Sequence, residues 1–373
     1  MLLQNIIKNL PKHLKSIKIN GLALDSRKVT TDNIFFALKG QIVNGENYIN
    51  KAIENGAKAI ICSTKCKLKS NKVPIIKVKD VHKKLVYACQ ILYKKKPKNI
   101  IAVTGTNGKT SVADFFYQIL SLCKTPVASI GTLGIKKNKK LKIIGLTSPD
   151  IISLHKELYL LKKNDIDNVI IEASSHGLNQ GRLDGLNFKA GIFTNFSQDH
   201  LDYHKSMKNY FNSKMILFSK LIQKNKFIIT DSDLKVFPII KKIAKAKKLK
   251  ILDTNNNFFL KEKKTHKIIG SFQNKNISMS ILAAKICGIK LKHIKKSINS
   301  LSTVNGRLEL CRVLNNKSRV FIDYAHTPEA LFTAIESLKD HYKKKITLVF
   351  GCGGNRDKKK RSLMAKVANN YSR

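Results

Sequence analysis

Short apolar runs broken by polar clusters recur along the chain, and helical spacing fills most of the stretches between them. The sharpest example lies between Asn99 and Thr110. Ile100 to Val103 are four consecutive apolar residues and read as a buried strand. Gly105 to Gly108 form a glycine-bounded turn. Val112, Phe115, Phe116, Ile119 and Leu120 then fall on one helical face. Upstream, Leu22–Leu24, Ile34–Leu38, Ala59–Cys62 and Pro74–Val78 read as strands, and Tyr48–Gly56 and Val81–Leu92 as helices. Downstream, Val169–Ile171, Ala190–Phe193 and Phe227–Ile229 are strands that each end in polar residues. Alternating strands and helices predict an α/β fold with a doubly wound parallel sheet.

The same pattern divides the chain. A chain of 373 residues predicts two or three domains. Residues 1–97 form a first unit, closed by the lysine-rich run Lys94–Lys98, which reads as a solvated linker. Residues 98–300 form the central unit. Residues 301–373 start a third α/β unit, with strands at Val320–Ile322 and Ile346–Phe350 and helices at Glu329–Leu338 and after Lys358. Two strands and their helices fall short of an ordinary domain of ~100–150 residues. The third unit therefore reads as partial, and the chain as cut short.

Charge changes the picture less than its size suggests. The formal net charge is +47 and the pI about 10.1, values that raise nucleic acid or an anionic membrane as partners. The lysines, however, are spread over nearly every segment together with Asn and Ile, all three encoded by A/T-rich codons. No arginine stripe or aromatic ladder accompanies them, and Trp is absent. A solvated lysine-rich surface is expected, without specific nucleic-acid binding. The seven cysteines show no CxxC spacing and read as thiols of a reducing cytoplasm. No run approaches the ~20 apolar residues that span a membrane.

The polar clusters carry the chemistry. Strand, glycine turn, Lys109, Thr110 and helix together make a phosphate cradle. Backbone N–H groups and a helix N-terminus face an anion, the lysine adds charge, and the threonine hydroxyl can ligate Mg²⁺. The loop is a variant: its first glycine is Gly105, because Val103 stands where the general pattern has glycine. Glu172 at a strand end is a candidate second Mg²⁺ ligand, with His200 or His204 assisting. Gln180 and Arg182 follow the Ser174-Ser175-His176 turn, where the guanidinium can grip a carboxylate or phosphate. Lys214 reads, from its residues alone, as one more surface lysine. These residues support an ATP-dependent enzyme acting at phosphate.

Taken together, Gly105-Thr-Asn-Gly-Lys-Thr110, Glu172-Ala-Ser-Ser-His-Gly-Leu178, Thr194-Asn195 with Asp199-His-Leu-Asp-Tyr-His204, Asn305-Gly-Arg307, Asp323-Tyr-Ala-His-Thr-Pro328 and Gly351-Cys-Gly-Gly-Asn-Arg-Asp357 resemble the Mur ligase family. The likeness runs from about Leu24 to the last residue. It is nearest to the branch that extends UDP-N-acetylmuramoyl-dipeptide to the tripeptide. The resemblance implies three domains: a UDP-substrate domain, a central doubly wound P-loop ATPase domain and an incomplete Rossmann-like C-terminal domain. It implies ATP and Mg²⁺ as cofactors. UDP-N-acetylmuramoyl-L-alanyl-D-glutamate and a diamino acid, meso-diaminopimelate ahead of lysine, are the implied substrates of a monomeric cytoplasmic enzyme.

Residue by residue, the resemblance gives Gly105, Thr106, Asn107, Gly108, Lys109, Thr110, Ser111, Asn276, Arg307, Asp323 and His326 to the nucleotide. It gives Leu24 and Ser26 to the UDP part and Thr147, Ser148, Ser174, Gln180 and Arg182 to the muramoyl-dipeptide. Arg356 would hold the incoming amino acid. Lys109, Glu172, His200 and Lys214 would be catalytic, with Thr110, Glu172, His200 and a carbamylated Lys214 as metal ligands. The implied route is an acyl phosphate, formed by the D-glutamate carboxylate on ATP and displaced by an amine. A shortened chain that binds nucleotide or UDP-sugar without ligating is the other reading.

Overall fold

Apolar runs become strands here wherever a parallel neighbour can take up their backbone hydrogen bonds. The computed structural model describes residues 1–40, 43–138, 140–255, 268–354 and 357–372, which divide into two compact units. The first comprises Met1–Lys96, Asp150–Asn164 and Leu183–Gly185. Its strands β1 (Gly21–Ala23), β2 (Asn33–Phe36), β3 (Ala57–Ser63) and β4 (Ile75–Val78) form a parallel sheet in that order. On one face Ile34, Phe36, Ala59 and Ile61 pack with Leu85, Ala88 and Cys89 of the helix Val81–Leu92. Asp80 caps that helix, accepting from the Lys83 amide at 2.8 Å. None of the seven cysteines is bridged.

One buried histidine makes this unit acid-sensitive. His155, on the helix Ile151–Lys163, is fully buried, with Nε2 3.0 Å from the Asp184 carbonyl oxygen. Burial, aided by the charge of Lys96, pushes its pKa down to about 4. Below the ordinary histidine range the unfolded chain binds a proton that the folded chain refuses, so stability falls as pH drops from about 6.5 towards 4. The expected loss is about 3 kcal/mol at this one site. Denaturant melts at pH 7 and pH 4 check it: His155→Gln should flatten the dependence, and an equal acid loss in the variant would refute the assignment.

The second unit is built on an eight-stranded sheet of described residues. Its strands are β5 (Asn99–Thr104), β6 (Val127–Gly131), β7 (Gly134–Lys137), β8 (Lys140–Lys142), β9 (Asn168–Glu172), β10 (Phe188–Phe193), β11 (Ile222–Thr230) and β12 (Lys250–Asp253). They lie in the order β12-β11-β10-β5-β9-β6-β7-β8. The six from β12 to β6 are parallel, and β7 and β8 add an antiparallel edge that the apolar pattern did not announce. The helices Lys109–Leu122 and Phe272–Ile286 pack on β5 and its neighbours through Val112, Phe116, Ile277 and Ile281. β5 therefore sits between β9 and β10, and three polar strand ends converge at one sheet edge. Open α/β sheets bind their ligands there.

Residues 306–373 hold a two-stranded antiparallel pair, β13 (Glu309–Val313) with β14 (Arg319–Ile322), and the helices Pro328–Tyr342 and Lys359–Tyr371. Leu331, Ile335 and Met364 join the helices. The expected strand at Ile346–Phe350 does not form: the segment joins no ladder among the described residues. Ile346 and Leu348 pack on the helix pair while Val349 is 93% exposed. An apolar run supplies side chains for a core. Strand pairing also requires a neighbouring backbone.

Candidate active site

The turn after β5 needs its glycines. Gly105 has φ +148°, and a Cβ there would lie 1.8 Å from Thr194 Oγ1. Gly108 has φ +82° at the N-cap of the helix Lys109–Leu122. The turn is clamped from the end of β10. The Thr106 amide donates to the Asn195 carbonyl at 3.0 Å, and the Asn107 amide to Asn195 Oδ1 at 2.8 Å. The first-turn amides from Lys109 onward have no intrahelical acceptor and face outward as an anion site. Lys109 Nζ donates to the Gly105 and Thr106 carbonyls at 2.9 and 2.7 Å. Burial holds this ammonium below the ordinary lysine range, against the attraction of Glu172 and Asp199.

Glu172, at the end of β9, is 1% exposed. Its carboxylate accepts from Thr110 Oγ1 at 3.0 Å, the Thr132 amide at 2.8 Å and Thr132 Oγ1 at 3.2 Å. Hydroxyl and carboxylate oxygens this close are the hard donors that Mg²⁺ selects, so these residues fit that ion. Beside them, Ser148 Oγ donates to the Glu172 carbonyl at 2.8 Å, and Thr147 Oγ1 lies 3.2 Å from Thr132 Oγ1. Ser174 Oγ is 3.1 Å from Ser148 Oγ. Arg182 donates through its guanidinium to the Ser148 carbonyl at 2.8 Å and to Gln180 Oε1 at 2.6 Å.

Beyond β10, His200 adopts φ +55° and lies 3.2 Å from Asp199. Burial pushes the imidazole down to about 3 despite that carboxylate, so it is neutral and can ligate through nitrogen. Lys214 is a correction to the residue-level expectation of a surface side chain. It is 1% exposed, donates to the Gly105 carbonyl at 2.7 Å and lies 4.3 Å from the Tyr210 ring centroid. Burial, reinforced by the nearby Lys109 charge, drives its pKa well below the ordinary lysine value. Nothing in its local sequence distinguishes it from the many exposed lysines; only the packing of its helix, Met207–Ile216, turns it inward.

The remaining candidates divide. Asn276 donates to Gln273 Oε1 at 2.8 Å, beside the phosphate turn. The Arg307 guanidinium stacks 4.5 Å from the Tyr324 ring centroid. Asp323 accepts from the Leu308 and Ala325 amides, both at 2.8 Å, and burial still holds its pKa above the usual carboxylate range. His326 lies 3.3 Å from Asp199. A cavity of about 710 Å³ is lined by the turn from Thr106 to Ser111 and by Thr147, Ser148, Glu172, Ser174, Arg182, His200, Lys214, Asn276, Arg307, Asp323 and His326. Gly105 underlies the turn, and Gln180 orients Arg182. Leu24 and Ser26 belong to the first unit, where the Ser26 carbonyl accepts from Asn55 at 2.8 Å. Arg356 lies outside the described residues.

Thr132 and Lys360 were not legible as site residues, and Asn195 and Asp199 were legible only as parts of a cluster. Thr132 and Asn195 act through loop geometry, and Lys360 is hidden among lysines.

Three family models match the chain: the Mur ligase family catalytic domain over residues 18–97, the Mur ligase middle domain over 103–301 and the Mur ligase glutamate ligase domain over 306–373. A UDP-N-acetylmuramoyl-L-alanyl-D-glutamate–2,6-diaminopimelate ligase of Rickettsia conorii is 37% identical, across 96% of this chain and 80% of its own. A solved structure of a ligase of that name is 28% identical with a TM-score of 0.78, covering 100% of this chain and 81% of its own. MurF ligase from Thermotoga maritima, in complex with ADP, shares the fold at 18% identity and TM-score 0.63, over 94% of this chain and 81% of its own. No described helix is long and apolar enough to cross a membrane.

Proposed function

The chain belongs to the Mur ligase family, and on that premise we propose that it is an ATP-dependent amide ligase. It joins a diamino acid, meso-diaminopimelate in preference to lysine, to UDP-N-acetylmuramoyl-L-alanyl-D-glutamate. One observation carries the reading: the phosphate turn with Lys109 and the polar patch from Thr147 to Arg182 line the same cavity. A nucleotide phosphate and a substrate carboxylate can meet there.

The D-glutamate carboxylate attacks the γ-phosphorus of ATP, releasing ADP and forming an acyl phosphate. The amine of the diamino acid then displaces phosphate to give the amide. Lys109 and the first-turn amides stabilise charge on the transferring phosphoryl group. Ser148, Ser174 and Arg182 bind and orient the acceptor peptide, and Asn276, Arg307, Asp323 and His326 enclose the nucleotide. Thr110 and Glu172 would hold Mg²⁺, with His200 and a carbamylated Lys214 for a second ion. When bound, that metal supplies positive charge to phosphoryl oxygens. Leu24 and Ser26 meet the UDP moiety, and Arg356 the incoming amino acid.

The test supplies UDP-muramoyl-dipeptide, ATP, Mg²⁺ and either diaminopimelate or lysine, and follows phosphate and tripeptide together. Tripeptide formation with diaminopimelate is expected. The run Ile346–Phe350, which joins no ladder among the described residues, favours a second reading: binding of nucleotide or UDP-sugar without ligation. Binding of both substrates with no tripeptide from either amino acid would decide for it.

A further inference from the structure

Asp199 is a buried carboxylate, 3% exposed, that gathers basic side chains from separate parts of the second unit. Oδ1 accepts from the His200 amide at 2.9 Å and from Lys360 Nζ at 3.0 Å. Oδ2 lies 3.2 Å from His200 Nε2 and 3.3 Å from His326 Nε2. His326 precedes the helix Pro328–Tyr342, and Lys360 lies on the helix Lys359–Tyr371. The Lys360 side chain is itself only 8% exposed, so this ion pair is sheltered from the screening that makes surface pairs weak.

The segment carrying Asp199 has a second attachment. Asn195 clamps the Thr106 and Asn107 amides, and Thr106 Oγ1 both donates to the Ser197 carbonyl at 3.1 Å and accepts from the Ser197 amide at 3.0 Å. Six residues, Asn195 to His200, therefore touch the phosphate turn at one end and residues 326 and 360 at the other. Two further bonds run the same way: Gln198 to Asp357 at 3.4 Å and Asn107 to Thr327 at 3.4 Å. Both are long and are secondary to the carboxylate.

We propose that Asp199 is a positioning residue, a tether that holds the 306–373 segment closed over the phosphate turn through Lys360 and His326. Resting on the ligase reading, the tether keeps the far wall of the cavity assembled. The second substrate thus meets a closed site, and the energy of closure is not drawn from its binding. Removing one member of a buried pair strands the other without compensation, so either partner's loss should release the segment.

Hydrogen exchange on the nucleotide-free full chain tests this. Asp199→Asn keeps the shape and removes the charge, and Lys360→Met removes the partner with less disturbance to the strand end. Each should speed exchange about tenfold in residues 324–330, with β5 residues 99–104 still protected. The double variant should be no worse than Asp199→Asn alone, because that change already removes the ion pair that Lys360→Met breaks. In the ligation assay each should raise KM for the amino acid several-fold. Asp340→Asn, on the exposed face of the helix Pro328–Tyr342, is the control and should change neither readout. Unchanged exchange at 324–330 in both variants overturns the tether, as does loosening that spreads equally into 99–104. Failure of the unaltered chain to ligate would instead count against the ligase reading and leave the exchange comparison to decide the tether.

Discussion

Lys109→Ala is expected to abolish ligation, with kcat falling by at least about 10²–10³-fold, the scale of losing one preorganised donor to a charged transition state. The ammonium bridges the Gly105 and Thr106 carbonyls, so it stands at the mouth of the turn. Phosphate oxygens arriving there exchange two neutral acceptors for anionic ones, and the gain is greatest as charge builds up during transfer. Desolvation holds Lys109 below the ordinary lysine range, and a bound anion should raise it again. Single-turnover phosphate release separates this from a defect in folding, with thermal unfolding of the same sample as the check. Turnover at the unaltered rate would remove the phosphate turn from the mechanism.

Removing Lys214 should have the second largest effect, a loss of roughly 10²-fold, but with a different signature. Its side chain is held beside Lys109 with no carboxylate among the described residues in hydrogen-bond contact, and burial strongly favours the neutral amine. A neutral amine can add to carbon dioxide and release a proton, giving a carbamate whose oxygens suit Mg²⁺ and whose negative charge balances Lys109. Activity should therefore decline on the acid side as the amine is protonated, and should depend on dissolved bicarbonate. Lys214→Ala should be rescued in part by short carboxylic acids, which can return the missing oxygens. Loss of activity that no carboxylate restores, together with indifference of the unaltered chain to bicarbonate, would assign Lys214 a purely electrostatic role.

Much of the molecule was legible before any coordinates. The run Ile100–Val103, the turn to Gly108 and the periodic apolar face after it sufficed to identify strand, phosphate loop and helix, because each depends on neighbours within a few residues. The polar ends of β9, β10 and β11 were legible for the same reason. The motifs in order along the chain also pointed to the Mur ligase family, and the three matched segments agree. Arg307, Asp323 and His326 were found through those motifs, since nothing in their local pattern marks a ligand.

What only the tertiary structure decided depends on partners distant in the chain. The apolar run at Ile346–Phe350 looked like any other strand, yet a strand exists only where a second backbone accepts its hydrogen bonds. Lys214 and Lys360 are two lysines in a chain of formal charge +47, indistinguishable by composition from the solvated ones. Folding buries one against Gly105 and the other against Asp199, and burial changes what a charge costs and what it can do. The local sequence determined which side chains were available at the strand ends. The three-dimensional packing determined which of them lost water, and therefore which carry the chemistry.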